Sequence, residues 1–307
     1  MNQTTGITSS EINFSLILSA IKSHPALLII FNLSLTTLAA LYTFSLPDTY
    51  ESSAKIAPHS IESSSYSVGL SSKLEGLTSL IGVGGLSDGG SKITLVVELM
   101  KSTTFANEFS ENYNLLPLFF AAEGIEPDSG NIIFDSEVFD PVLNIWTREV
   151  SAPLTAKPNR DEIYEKYIEA ISVSVDKESG YITISASTVS PRESKLIVEQ
   201  LVTEISKKVS ERERRMSSDL IIQLEAELAG TTSNNIKLLL TNLLEQQLQK
   251  HAVSKLDDYF GFSYIDEPYE AILPSGPPRL QILAVTIFGS FLLSILILTL
   301  KHAYWNK

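Results

Sequence analysis

Two long apolar stretches without any charged side chain dominate the hydropathy pattern of the chain. Residues 26–46 and 280–300 each comprise 21 uncharged positions. A helix rises about 1.5 Å per residue, so each stretch is long enough to cross the roughly 30 Å hydrocarbon core of a bilayer. Arg279 and Lys301 flank the second stretch. The pattern therefore predicts transmembrane helices at 26–46 and 280–300.

Other interpretations of the two stretches are weaker. A buried core helix rarely avoids charge over so many positions, which argues against that explanation for the second stretch. A secretory signal peptide is the alternative for the first stretch. However, Lys22 is the only basic residue before it, and the stretch is longer than a typical signal core. We expect both helices to remain in the membrane.

The segment after the first stretch changes to alternating polar and apolar positions. Tyr50, Ala54 and Ile56 share one side of this alternation, which predicts a strand that leaves the membrane. Residues 60–91 are rich in serine and glycine and lack the spacing of a phosphate-binding loop, so they predict a surface loop. Helical spacing returns over residues 91–113, and a short helix is expected around 138–150.

A β-hairpin and a further strand are predicted later in the chain. Two alternating runs, 171–175 and 181–187, are separated by a turn in which Gly180 suits a left-handed position. The run 262–266 has the same alternation and predicts one more strand of the same sheet.

Two long helices are predicted between the hairpin and this last strand. Pro191 suits the first position of a helix, with Ser190 as its N-cap and Glu193 in the capping-box position. Apolar residues then recur at helical spacing to a break at Gly230, and a second apolar stripe continues to about residue 256. The stripe predicts packing of the two helices on each other or on a neighbouring chain.

Charge assigns a topology to this arrangement. The chain carries 23 basic and 36 acidic residues, a net charge of −13. The ends outside 47–279 carry a net charge of +2, whereas 47–279 carries −15. The positive-inside rule then predicts a cytoplasmic lead (1–25), a periplasmic domain (47–279) and a cytoplasmic tail (301–307) in a bacterial inner membrane.

The composition excludes several classes of function. Cysteine is absent, so disulfide frameworks, thiolate metal sites and cysteine nucleophiles are excluded. The acidic balance argues against nucleic-acid binding. The four histidines are scattered, and neither a zinc-protease motif nor a nucleophile-elbow motif occurs. We therefore expect no catalytic residues, metal site or cofactor.

A mixed-charge patch lies midway along the first long helix. It combines basic and acidic side chains within two turns, which favours a solvated face or ion pairs between chains over anion binding. The candidate contacts between protomers are Lys208, Glu211, Arg212 and Arg215.

In order along the chain, these features resemble the Wzz-type chain-length determinants, also called polysaccharide co-polymerases. The segment LMKSTTFANEF (99–109) is similar to the family's Leu-x-Ser-x-x-Phe element, and ISVSVDKESGYITIS (171–185) is similar to its hairpin. LEAELAGTTSNNIKLLLTNLLEQQLQ (224–249) resembles the family's two-helix trunk. FSYIDEP and the prolines after it resemble the family's proline-rich approach to the second membrane helix.

The resemblance implies a membrane-anchored α+β fold, in which two transmembrane helices flank a periplasmic α/β base with a long helical trunk. It also implies a non-catalytic regulator of surface polysaccharide chain length, for O-antigen or a related glycan. Such proteins form homo-oligomeric rings in the inner membrane and act with a Wzy-type polymerase on an undecaprenyl-linked glycan. The candidate residues for polymerase contact or for fixing the oligomer are Pro268, Pro274, Pro277, Pro278 and Arg279.

One alternative from a different class stays open. The chain could instead be a structural subunit for capsule or exopolysaccharide export, working with a separate cytoplasmic tyrosine kinase. Only Lys301 to Lys307 follow the second apolar stretch, so we expect no nucleotide site in the chain itself.

Overall fold

The computed structural model describes residues 25–58, 88–253 and 262–305. The predicted cytoplasmic lead, apart from its last residue, lies outside the described residues. Most of the predicted loop at 60–91 and the predicted helix end at 254–256 also lie outside them. The helices are α1 (Pro25–Ser45), α2 (Asp88–Met100), α3 (Thr103–Asn112), α4 (Leu116–Ala121), α5 (Arg160–Ala170), α6 (Pro191–Gly230), α7 (Asn234–Val253) and α8 (Arg279–Trp305). The strands are β1 (Tyr50–Pro58), β2 (Ala122–Ile125), β3 (Ile132–Phe134), β4 (Phe139–Asp140), β5 (Ile145–Trp146), β6 (Ile171–Val175), β7 (Ile182–Thr188) and β8 (Phe262–Asp266).

The chain divides into two units. One unit contains α1 and α8, which pack against each other, and the other comprises residues 49–274. Both α1 and α8 are long and apolar enough to cross a membrane. Two candidate membrane helices at the ends of the chain, a mixed helix-and-sheet domain and a long helix are thus confirmed.

A four-stranded antiparallel sheet organises the second unit, with strand order β6-β7-β1-β8. The predicted hairpin is confirmed, since β6 pairs with β7 across a turn in which Gly180 has φ +71°. That left-handed conformation strains any residue with a Cβ atom. The predicted strand at 262–266 is β8, which pairs with β1. β1 therefore lies inside the sheet, and Ile56 faces Ile182 across its register with β7.

The hydrophobic core lies between this sheet and helices α2, α3, α5 and α6. The start of α6 covers β1 and β7, and its side chains Ile197, Leu201 and Ile205 are fully buried. Ser190 caps this helix, because its side chain accepts a hydrogen bond from the Glu193 amide. Buried positions of α6 stop at Ser217, so the last third of the 40-residue helix contributes no fully buried residue. α7 packs against α6.

An aromatic group closes the other side of the core. Phe105 and Phe109 of α3 stack with ring centroids 5.8 Å apart. Tyr167 of α5 meets both rings edge-on, at 6.5 Å and 6.4 Å. Burial raises the pKa of the Tyr167 phenol, which therefore stays neutral in the folded protein.

Two local predictions are wrong. The predicted helix at 91–113 is broken into α2 and α3, because Ser102 adopts an extended conformation and its side chain accepts the Phe105 amide as an N-cap. The short helix expected at 138–150 is the strand pair β4 and β5. Its turn forms because the Asp140 carboxylate accepts the amides of Val142 and Leu143, which replaces helical hydrogen bonding.

Arg148 fixes the start of α5. Its guanidinium donates to both carboxylate oxygens of Glu162, at 2.8 Å and 3.0 Å, and to the carbonyls of Thr155 and Ala156. Glu162 also completes a capping box with Asn159. The hydrogen bond from Arg148 and the one from the Asn159 amide hold the pKa of Glu162 below its usual range.

A pH-dependent contribution to stability follows from this carboxylate. Because its pKa is lower in the folded than in the unfolded chain, the contribution is complete above the ordinary glutamate pKa of about 4.3 and is lost as pH falls through the lowered value. We expect Glu162→Gln to lower the free energy of unfolding by about 1–2 kcal/mol at pH 7. The deficit should shrink below about pH 4. Glu165→Gln, an exposed position on the same helix, is the control. A loss of unfolding free energy in Glu162→Gln that does not change with pH would show that the ionised Glu162 carboxylate is not the source of this stability.

Candidate functional site

The start of α8 is shaped by the two prolines that the sequence singled out. The carbonyl of Pro278 accepts the amides of Gln281 and Ile282, at 3.0 Å and 3.1 Å, and the carbonyl of Pro277 accepts the Arg279 amide at 2.7 Å. Proline suits this place, since its fixed φ fits the first helical turn and its missing N–H leaves no unpaired donor. The two prolines thus set where the helix begins.

Arg279 ties the start of α8 to the end of α1. We call its contacts the arginine clasp: the guanidinium donates to the Leu46 carbonyl at 3.3 Å, pairs with the Asp48 carboxylate at 2.8 Å and lies 5.4 Å from the Phe44 ring centroid. The carbonyl lies one residue past α1, where the partial negative charge of the helix end favours a cation. Arg279 is thus engaged within its own chain. Its predicted role in polymerase contact or oligomer fixing stays a prediction.

Pro268 and Pro274 belong to the second unit. Pro268 is buried, and the next residue, Tyr269, accepts a hydrogen bond from the Ser52 hydroxyl of β1 at 2.8 Å. Glu270 lies 3.9 Å from Lys195 of α6. Pro274 is exposed. The predicted group therefore divides, because Pro268 lies with the sheet whereas Pro277, Pro278 and Arg279 shape the paired terminal helices.

The predicted charged patch on α6 is partly used within the chain. Lys208 pairs with Glu108 of α3 at 2.7 Å, and its ammonium lies 5.9 Å from the Phe105 ring centroid. Glu211 is half-buried, whereas Arg212 and Arg215 are exposed. A contact of these residues with a second protomer stays a prediction, and the two exposed arginines are the better placed for it.

A buried ion pair beside this patch was missed by the sequence reasoning. Lys92 of α2 lies 3.2 Å from Glu213 of α6, and the two side chains are 5% and 14% exposed. A buried lysine is rare without an acidic partner. The only sequence signal was Lys92 within the helical pattern of α2, and nothing local identified its partner.

The first third of the chain matches a known protein family. Residues 10–113 match a protein-family model described as Wzz, chain length determinant protein. This part of the chain is Wzz-like. The match contains α1, β1, α2 and α3, and it confirms the family resemblance over about a third of the sequence.

The chain matches solved structures but no curated protein sequence. Among the matching solved structures is one titled "full-length bacterial polysaccharide co-polymerase", with 12% identity and a TM-score of 0.38. The alignment covers 97% of this chain and 99% of that one. No curated protein matches the chain.

Proposed function

We propose that this chain is a non-catalytic regulator of the chain length of a surface polysaccharide, O-antigen or a related glycan. The observation that carries the proposal is the Wzz match over 10–113, which contains the first candidate membrane helix and β1, one of the two inner strands of the sheet. The second candidate membrane helix and the long α6 complete the architecture expected from the resemblance.

The proposed location is the bacterial inner membrane, with both ends in the cytoplasm and the sheet-containing unit in the periplasm. The charge difference supports this orientation, since the ends carry +2 and residues 47–279 carry −15. Within 25–58, 88–253 and 262–305, no cluster of three or more histidine or acidic side chains could hold a metal ion. The proposal places the protein beside a Wzy-type polymerase and its undecaprenyl-linked glycan as a scaffold.

Self-association is part of the proposal. Several large apolar side chains on the distal part of α6 and on α7 are exposed, which favours packing against further copies. They are Met216, Ile222, Ile236, Leu238 and Leu248. We expect the full-length protein in mild detergent to have the mass of an oligomer. A stable monomer at micromolar concentration would contradict the ring arrangement.

Deletion of the gene tests the proposal. Gel analysis of the surface polysaccharide should show the modal length distribution disappear on deletion and return on re-expression. The protein should also fractionate with the inner membrane. A distribution unchanged by deletion and by re-expression would reject the proposed function.

A further inference from the structure

Three polar side chains meet between the two terminal helices, within apolar sequence. The Asn32 amide of α1 donates to the Ser294 hydroxyl of α8 at 3.1 Å. Its carbonyl oxygen accepts the Ser290 hydroxyl at 2.6 Å. Ser290 and Ser294 are 2% and 3% exposed, although each lies on a helix whose apolar side chains are widely exposed. We call Asn32, Ser290 and Ser294 the polar lock.

The single hydrogen of the Ser290 hydroxyl has two acceptors within reach, the Asn32 carbonyl oxygen at 2.6 Å and the Ile287 carbonyl of its own helix at 3.0 Å, and the shorter contact is the one between the helices. The second Asn32 amide hydrogen has its own acceptor, since the amide lies 2.9 Å from the Leu28 carbonyl. Ser294 donates to the Phe291 carbonyl at 2.8 Å, which leaves its oxygen free to accept from Asn32. Both the donor and the acceptor side of the asparagine are thus used. In a bilayer, where water is absent, an unpaired amide would be costly.

Ser290 and Ser294 bond both within their own helix and to Asn32, whereas the other described serine and threonine side chains of the two helices have only the bond within their own helix. The serine and threonine hydroxyls outside the lock donate to carbonyls of their own helix, three or four residues back. They are Ser34, Thr36, Thr37, Thr43, Ser45, Thr286 and Thr299. Such bonds satisfy a hydroxyl without specifying a partner helix. The lock is therefore the set of these side chains whose bonds cross from one helix to the other.

The arginine clasp indicates the same alignment of the helices. From Asn32 to Leu46 there are 14 residues, and from Arg279 there are 11 to Ser290 and 15 to Ser294. At about 1.5 Å per residue these separations are about 21 Å along α1 and about 16–22 Å along α8. Two independent contacts thus agree on one antiparallel register.

We propose that the polar lock fixes the register of the two membrane helices, so that they act as one rigid antiparallel pair in the bilayer. Apolar helix surfaces alone tolerate slippage, because lipid tails compete equally well for them. One turn from Ser290, Thr286 offers another hydroxyl, and a shift of about 5.4 Å would place Asn32 between Thr286 and Ser290. The observed bonds select the register with Ser290 and Ser294.

The size of the effect is set by two interhelical hydrogen bonds. In membranes each such bond changes the pairing equilibrium about threefold on average. Removal of both should therefore increase the population of other registers by roughly tenfold. This inference rests on the proposed membrane location but not on the proposed role in polysaccharide synthesis.

Spin-label distance measurements on the full-length protein in lipid bilayers test the lock. The chain has no cysteine, so cysteines introduced at Ile30 and Val285 carry the only labels. Both positions are exposed, at 66% and 72%, and they lie on opposite sides of the lock along the helix axis. Labelled protein is diluted with unlabelled protein so that the measured pairs lie within one chain.

The variants are Asn32→Leu and the double substitution Ser290→Ala with Ser294→Ala, which keeps small side chains if the leucine disturbs packing. Thr286→Val is the matched control, because it removes a hydroxyl of the same helix that bonds only locally. We expect one narrow distance for the unsubstituted protein and the control. Both lock variants should show a broadened distribution or one shifted by about one helical turn, 5.4 Å.

An unchanged narrow distribution in both lock variants would overturn the proposal, as would equal broadening in Thr286→Val. The distances report on the helices whatever glycan the cell makes. The expected broadening or shift in both lock variants, together with a polysaccharide ladder that gene deletion leaves unaltered, would therefore reject the proposed function and leave the lock intact.

Discussion

Replacement of both Pro277 and Pro278 by alanine shifts or broadens the modal polysaccharide length by more than the width of the wild-type peak. Pro277 and Pro278 immediately precede α8, and a proline disfavours the helical conformation for the residue before it, so the helix does not begin earlier. Alanine adds two backbone N–H groups and frees φ, so the helix can start earlier. Arg279 would then turn away from the arginine clasp.

Membrane insertion should survive this double substitution. The uncharged stretch 280–300 is unchanged, and it provides the transfer free energy for insertion. Polysaccharide gels combined with blots of the membrane fraction measure both properties. Pro141→Ala, at an exposed turn between β4 and β5, is the control and should leave the mode unchanged. A wild-type ladder from the double variant would show that Pro277 and Pro278 take no part in chain-length control.

Phe109→Ala is expected to lower the free energy of unfolding by about 3–5 kcal/mol. The side chain is 1% exposed and contacts three other rings, with centroids of Phe105, Tyr167 and Tyr113 at 5.8 Å, 6.4 Å and 4.8 Å. Truncation leaves a cavity that rigid neighbours cannot fill, in addition to the lost burial of apolar surface.

Denaturant unfolding of the full-length protein in detergent, followed by tyrosine and tryptophan fluorescence, measures this loss. Tyr269→Ala is the matched control, because that ring is 60% exposed and its hydrogen bond with Ser52 uses only the backbone carbonyl. The control should change the free energy of unfolding by less than about 0.5 kcal/mol. Equal losses in the two variants would show that the aromatic group is not the core of this unit.

The sequence predicted those elements whose signal is local and repeated. Alternating positions with Gly180 at the turn predicted the hairpin of β6 and β7, and the Ser190–Pro191 start predicted the beginning of α6. The breaks at Ser102 and Asp140 were missed. In both cases one side chain accepts backbone amides and outweighs a periodicity that averages over many residues.

Contacts between distant parts of the chain could not be predicted from one sequence. Asn32 is 258 positions from Ser290, and Lys92 is 121 positions from Glu213. Each residue looks unremarkable in its own segment, and only the packed structure identifies its partner. For the same reason the sequence did not reveal the contacts of Arg279 with the end of α1 in the arginine clasp. Its contact with an external partner stays a prediction.

The acidic charge of the domain limits how it could act on a glycan. Residues 47–279, which we propose to lie in the periplasm, carry a net charge of −15 per chain. A ring of such chains would repel an anionic polymer. If the chain has the proposed function, electrostatic capture of an anionic glycan by this domain is therefore disfavoured.

The most direct test of chain-length regulation measures two quantities in the same gene-deletion strain: the length distribution of the surface polysaccharide and its total amount. A regulator that is not a catalyst should change the first and largely preserve the second. We expect the modal distribution to disappear on deletion while polymer is still made and exported, and re-expression to restore the mode. An unchanged length distribution with a large loss of surface polymer would contradict it and favour a subunit of an export system.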